Sequence, residues 1–227
     1  MATKLYFHAA SHTLSGSFPA GEQSPTYTPG FTFTNANTLR KMDTTIGTAQ
    51  SSLTGTSAAS TTAQIVFMGF WVSQPLLGPQ TFGGTTWTLN IADAESNLSM
   101  NFWMKGCHIY VWRPSAGSRI VSIVENNNIG GTEVTASASE QVTTFTFTPT
   151  STTAQDGDVI ICELWATFTQ ATATAYTGTI YFDGTTENAT ENTVVSNHAS
   201  FLNIAENLVF QGNQLRDPFG NMGFFHL

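Results

Sequence analysis

The stretch from Asn101 to Pro114 constrains the fold most strongly, because its pattern is that of a central β-strand. Apolar residues recur at every second position, Cys107, Ile109 and Val111, and this spacing is the period of a strand rather than of a helix. The alternate positions carry rings: His108, Tyr110 and Trp112. Aromatic and β-branched side chains suit a pleated surface, and Pro114, which cannot donate to a ladder, ends the strand.

A second apolar run, Val159 to Phe168, has the same character, and we interpret the two runs as central strands of one sandwich. Short runs between turn residues predict further strands. These are Thr3–Ala9, Phe31–Thr34, Ala63–Val72, Trp87–Ile91, Arg119–Val124, Gln141–Thr148, Thr177–Phe182, Val194–Ile204 and Glu206–Phe210. Many short strands separated by turn signals are typical of a sandwich or jelly roll.

The sequence therefore predicts an all-β protein, a single antiparallel β-sandwich of jelly-roll type, over residues 1–210. Long N-terminal loops, residues 10–30 above all, and an extended C-terminal tail, residues 211–227, accompany it. Residues 35–62 are polar and of low complexity, and we assign them no regular element. Residues 92–99 are expected to form a short helix or a loop.

Charged residues are scarce, at 10% of the chain, whereas an average domain has roughly 25%. Threonine, serine and asparagine take their place along the predicted strands. A surface of this kind loses little hydration energy on burial. This composition favours a subunit of a large assembly, although an ordinary threonine-rich sandwich would share it.

The charge balance argues against nucleic acid as a partner. The formal net charge is −8, and the 7 basic residues form no cluster beyond Arg40 and Lys41, whereas a nucleic-acid groove needs a basic stripe. The first residues lack the apolar core of a signal peptide, and no run approaches the ~18 apolar residues of a membrane span. We expect a soluble chain that folds in a cytosol, without contact to a membrane.

No cofactor or metal is predicted. Asp156, Asp158 and Asp183 lie in predicted turns, where aspartates usually bind their own backbone, and no calcium-loop pattern surrounds them. The five histidines lack zinc-ligand spacing. Cys107 and Cys162 lie inside apolar strands, which favours buried free thiols, and a single bridge between facing strands stays open as an alternative.

Nothing in the sequence predicts catalysis, so we expect a protein that is not an enzyme. His198 could in principle join a serine and an aspartate, but no Gly-x-Ser-x-Gly elbow is present. A glycan-degrading enzyme needs paired carboxylates, and the acidic residues fall mainly in turns. Surface tryptophans could instead form a sugar platform; of Trp71, Trp87, Trp103, Trp112 and Trp165, Trp87 and Trp103 are the best candidates.

The segment Glu206 to Gly212 resembles a tobacco etch virus protease site, with Val209 where that site has tyrosine. Such sites can be remnants of cloning. No affinity tag follows it, and Leu208 and Phe210 fit a natural last strand. We therefore interpret the segment as part of the natural chain.

Several motifs together resemble jelly-roll structural proteins in the virions of tailed bacteriophages, especially cyanophages. They are Lys4–Ala10, Met100–Trp103, Tyr110–Ser115, Gly157–Trp165, Tyr181–Thr185 and Val195–Phe201. They span most of the chain and are strand and turn motifs rather than catalytic ones. The resemblance implies a non-enzymatic virion component, assembled in the cytoplasm of the bacterial host.

On this basis we expect a capsid decoration, or cement, protein that stabilises the head through the major capsid protein and through its own copies. The tail carries aromatic residues between glycines, and it is expected to dock on a neighbour. Its predicted assembly contacts are Phe219, Phe224, Phe225 and Leu227. A homo-oligomer is expected, and a trimer would suit positions of local threefold symmetry, although the sequence specifies no number. The alternative is a receptor- or glycan-binding module of a tail or head fibre.

Overall fold

A computed structural model describes residues 2–12, 38–126, 139–190 and 192–212. Within these ranges all regular structure is β. The strands are β1 (Thr3–Ser11), β2 (Leu39–Asp43), β3 (Ser51–Thr56), β4 (Gln64–Val72), β5 (Gln80–Phe82), β6 (Trp87–Glu95), β7 (Met100–Arg113), β8 (Ser118–Asn126), β9 (Gln141–Phe147), β10 (Thr152–Ala154), β11 (Val159–Gln170), β12 (Thr177–Phe182) and β13 (Phe201–Ile204).

One large sheet holds all strands except β5 and β10, which pair with each other. Its order is β3-β12-β6-β13-β1-β2-β4-β11-β7-β8, and β9 pairs with β6. Ala92 of β6 lies opposite Val142 of β9 on one side and Tyr181 of β12 on the other. β12 and β13 therefore lie end to end along the same edge of β6. Among the described pairings, β2 with β4 is the parallel one.

The sheet folds over into two layers that enclose the main core. In the order of the sheet, β1 and β2 separate one layer, which contains β3, β12, β6, β13 and β9, from the other, which contains β4, β11, β7 and β8. The layers meet where the ring of Trp71 contacts Phe182 edge-on at 5.8 Å, and the same ring stacks on Phe7 of β1 at 4.9 Å. Each of these three rings is at most 2% exposed, so the contact between layers is dry.

A second apolar cluster lies on the opposite face of β4, β11 and β7. It contains Phe67, Phe70, Val72, Tyr110, Trp112, Val159, Ile161 and Trp165. These strands are buried on both faces, which explains why their sequences are nearly continuous apolar runs rather than alternating ones. A bulge at Met68 and Gly69 shifts the pairing of β4 with β11.

The all-β sandwich is confirmed, and so are the two central strands: β7 and β11 pair along their whole length. Several local predictions were wrong, and of the predicted strand Val194–Ile204 only Phe201–Ile204 forms a strand. Residues 92–95, expected in a helix or loop, extend β6, because their pairing with β12 outweighs a weak local preference. Residues 35–62, left without an element, contain β2 and β3. The predicted strand Phe31–Thr34, most of the N-terminal loop and residues 213–227 lie outside the described ranges, and the boundary at residue 210 stays a prediction.

Candidate functional site

The tryptophans do not form an open sugar platform. Trp71, Trp87 and Trp165 are at most 1% exposed and Trp112 is 6% exposed, whereas Trp103 is half-buried. Trp87, one of the two candidates, packs against Phe82 in the core. The chain therefore lacks the pair of exposed tryptophans that this form of glycan recognition requires.

The three aspartates of the predicted turns, Asp156, Asp158 and Asp183, form hydrogen bonds or ion pairs with other residues of the domain. Asp158 is fully buried and forms a two-pronged ion pair with Arg113, at 2.7 and 2.8 Å. Asp156 accepts the Gly78 amide at 2.7 Å, and Asp183 binds the imidazole of His8 at 2.5 Å. In the described ranges no three His, Cys, Asp or Glu side chains gather as metal ligands would.

The imidazole of His198 is held by Asn188 and Phe201 rather than by a serine and an aspartate. It is fully buried, its Nε2 accepts the Asn188 amide at 3.0 Å, and its ring stacks on Phe201. Burial lowers its pKa, because it disfavours the charged form of the ring. This environment favours a packing role.

A different polar row crosses β8, β7 and β11, and sequence reasoning missed it. Glu163, fully buried, accepts the Tyr110 hydroxyl at 2.7 Å, and its other oxygen lies 3.9 Å from Nδ1 of His108. Nε2 of His108 lies 2.9 Å from the guanidinium of Arg119 and 3.4 Å from the hydroxyl of Ser122. An activated serine needs separations nearer 2.6–3.2 Å, and Arg119 occupies the nitrogen that would take the proton. The row thus resembles a catalytic triad in residue types and not in geometry.

His8 lies between two carboxylates, and sequence reasoning missed this cluster too. Its Nδ1 is 2.5 Å from Asp183 and its Nε2 is 3.1 Å from Asp43. Burial alone would lower the pKa of His8, but the bonds to Asp183 and Asp43 outweigh it and raise that pKa to about 9. Burial would raise the pKa of Asp43, and the bonds from His8, Lys41 and the Thr45 amide hold it below its usual range instead. The cluster ties β1 to β2 and to the turn after β12.

The segment Glu206–Gly212 is packed into the domain. Leu208 and Phe210 are 7% and 2% exposed, and Phe210 forms an isolated bridge with Leu76. Glu206 accepts hydrogen bonds from the amide of Gly83 at 2.9 Å and from the indole of Trp87 at 2.8 Å. The predicted last strand is therefore reduced to one bridge, but the burial supports a natural part of the chain.

A polar groove of about 350 Å³ lies at the start of β1. Lys4, Tyr6, Asn203 and Asn207 line it. The lysine is paired with Glu187, and Tyr6 donates its hydroxyl to the same carboxylate. Because this pair is internally neutral, the groove offers an anion no net positive charge.

The best candidate for a functional surface is the corner formed by β3 and β12. Ser52, Thr54 and Thr56 project exposed side chains from β3, and the hydroxyl of Thr54 bonds that of Thr179 on β12 at 2.9 Å. No charged residue occurs from Thr44 to Ala92 or along β12. Interface cores are depleted of charge, so this corner suits burial against a partner.

The predicted assembly contacts Phe219, Phe224, Phe225 and Leu227 lie outside the described residues. Across the described ranges, no helix is long and apolar enough to cross a bilayer.

The chain matches no protein-family model and no curated protein sequence. Among solved structures it is similar to a CocE/NonD family hydrolase from Staphylococcus aureus, with a TM-score of 0.49 and 10% identity over 92% of this chain and 36% of the hydrolase. It is also similar to a chain in a structure of infectious bursal disease virus, Gx strain, with a TM-score of 0.20 and 11% identity over 85% of this chain and 48% of the other. The chain thus spans about a third of the hydrolase and half of the viral protein. Both likenesses are too distant to bear on function.

Proposed function

We propose that this protein is a non-enzymatic structural component of a bacteriophage virion, a capsid decoration protein that strengthens the head by contacts to the major capsid protein and to its own copies. The observation that carries the proposal is the uncharged corner of β3 and β12 on a sandwich with a dry core. Burying hydroxyls that can find new partners costs little, whereas burying unpaired charges costs several kcal/mol. The resemblance of the sequence motifs to phage virion proteins supports the same role.

The mechanism is mechanical. Ring contacts such as that of Trp71 with Phe182 join the two layers, and within one layer the ion pair of Arg113 with Asp158 ties the end of β7 to the turn before β11. A sandwich held in this way transmits force between capsid subunits without deforming, because a close-packed interior has low compressibility. Residues 213–227 supply an apolar anchor to a neighbour.

A glycan- or receptor-binding module of a fibre is the alternative. The burial of Trp87 removes one of its two best sugar contacts, so we place it second.

Cryo-electron microscopy of particles that contain this protein tests the proposal. We expect copies at every equivalent position of the capsid lattice, and truncation at residue 212 should lower their occupancy while the isolated domain stays folded. Copies confined to the tail or to fibres would support the alternative. Full occupancy by the truncated chain would refute the anchoring role of the tail.

A further inference from the structure

The outer side of β3 is an open hydrogen-bonding edge. Across the described residues, β3 pairs with β12 alone. The Ser57 amide, in phase with this pairing, donates to the Tyr176 carbonyl at 2.7 Å. Successive residues of a strand direct their backbone groups to opposite sides, so those of Ser52, Thr54 and Thr56 face outward. A row of unpaired amides and carbonyls is a template for another strand.

The other terminal strands of the sheet are protected against such pairing. β8 carries Arg119, and its pairing with β7 shifts register twice. The edge of β9 is crossed by a loop, in which Asn192 donates to the Val142 carbonyl at 2.8 Å and Thr193 accepts the Val142 amide at 3.2 Å. Charges, bulges and covering loops are the usual devices that keep edges from associating. β3 has no charge, no proline and a regular register with β12.

We propose that β3 pairs antiparallel with β3 of a second copy, across a twofold axis that passes beside Thr54. In this register Thr54 lies opposite itself and Ser52 lies opposite Thr56. Every outward amide and carbonyl of these residues then finds a partner in the other copy. The two large sheets become one continuous sheet through the dimer.

The strand is complementary to itself, which is why a second copy is the occupant. Small hydroxyl side chains face each other along the outer row, and this row continues the bond between Thr54 and Thr179 into the partner. On the inner row Leu53 falls opposite Gly55, so its bulk meets the residue without a side chain. A charged strand would repel its own copy in a twofold interface, because each residue meets its symmetry mate; β3 carries no charge.

Introduction of a charge at position 54 tests the pairing. Thr54 is exposed, so Thr54→Lys and Thr54→Glu should each fold with a melting temperature close to that of the parent. Like charges meet at the axis in either variant, and we expect both to sediment as monomers where the parent is a dimer. An equimolar mixture of the two should restore the dimer, because lysine then faces glutamate. Thr146→Lys, on the exposed face of β9, is the matched control and should leave the dimer intact.

Covalent capture gives a second readout. Thr54→Cys should cross-link to itself with a short bis-maleimide, while Cys107 and Cys162, buried at 1% and 0% exposure, stay unreacted. A parent chain that sediments as a monomer at high concentration, or a dimer unaffected by Thr54→Lys, would overturn the proposal. These measurements use the isolated protein, so their outcome is independent of any role in a virion.

Discussion

Oδ1 of Asp183 lies 2.5 Å from Nδ1 of His8, although the two residues are far apart in sequence. Asp183 occupies a left-handed turn, with φ of 61°, and the same carboxylate accepts the Ala9 amide at 2.6 Å. On the other side of the ring, Nε2 of His8 lies 3.1 Å from Oδ1 of Asp43. One imidazole thus bridges two carboxylates from separate elements.

Replacement of His8 by glutamine should lower the free energy of unfolding by about 3 kcal/mol at pH 6.5, because it removes the cationic partner of Asp183 and leaves Asp43 with Lys41 alone. The parent should also show a pH dependence that the variant lacks. The pKa of His8 rises from 6.5 unfolded to about 9 folded. Its contribution is therefore complete below pH 6.5 and disappears as the pH rises through 9. Urea titrations between pH 6 and 10 would measure both effects.

Lys4→Gln is the control for that experiment, since it removes a cation from the same strand at a more exposed site. Exposed pairs contribute about 0–1 kcal/mol. A parent stability that stays flat from pH 6.5 to 9.5 would contradict the proposed protonation of His8.

A methyl group at position 178 should disturb the contact between the layers. A Cβ atom on Gly178 would lie 2.7 Å from the rings of Phe102 and Phe168, and neither ring can withdraw from a close-packed core. Gly178→Ala should therefore cost about 1–3 kcal/mol. Thr177→Ala, one residue away and half-exposed, should change stability by less than about 0.5 kcal/mol. Equal stability of the glycine variant and the parent would show that the layers can separate at this point.

The sequence predicted the elements whose pattern is strong and missed those that depend on distant partners. β12 has the predicted bounds, and the long apolar runs of β7 and β11 indicate these two strands in the sequence. The sequence did not indicate β3, because its serines, threonines and glycine suit a loop as well as an edge strand. Its pairing with β12 is what makes this segment a strand. The cluster around His8 was hidden for the same reason: Asp43 and Asp183 are brought to it by tertiary pairing.

The two cysteines should be inert in the native protein. They are free, and they are diagonal neighbours: Cys162 lies opposite Ile109, and Cys107 lies opposite Leu164. Burial raises the pKa of Cys107 to about 12, and burial together with the charges of Cys107 and Glu163 raises that of Cys162. Because the thiolate is the reactive form, iodoacetamide at pH 8 should modify neither residue until denaturant is added. Rapid modification of the folded protein would show that β7 and β11 separate locally.

The segment Glu206–Gly212 should resist tobacco etch virus protease while the protein is folded. A protease must take its substrate in extended form, and here the Gln211 amide donates to the Pro75 carbonyl at 2.7 Å while Phe210 is buried.

The matched control is a synthetic peptide of the same seven residues with short flanks, which separates the effect of packing from that of Val209. We expect slow cleavage of the peptide and a far lower rate for the native chain. Leu208→Ala should raise that rate toward the peptide value, because it removes a side chain that holds the segment in place. Cleavage of the native chain as fast as the peptide would mean that the segment is not anchored to the domain.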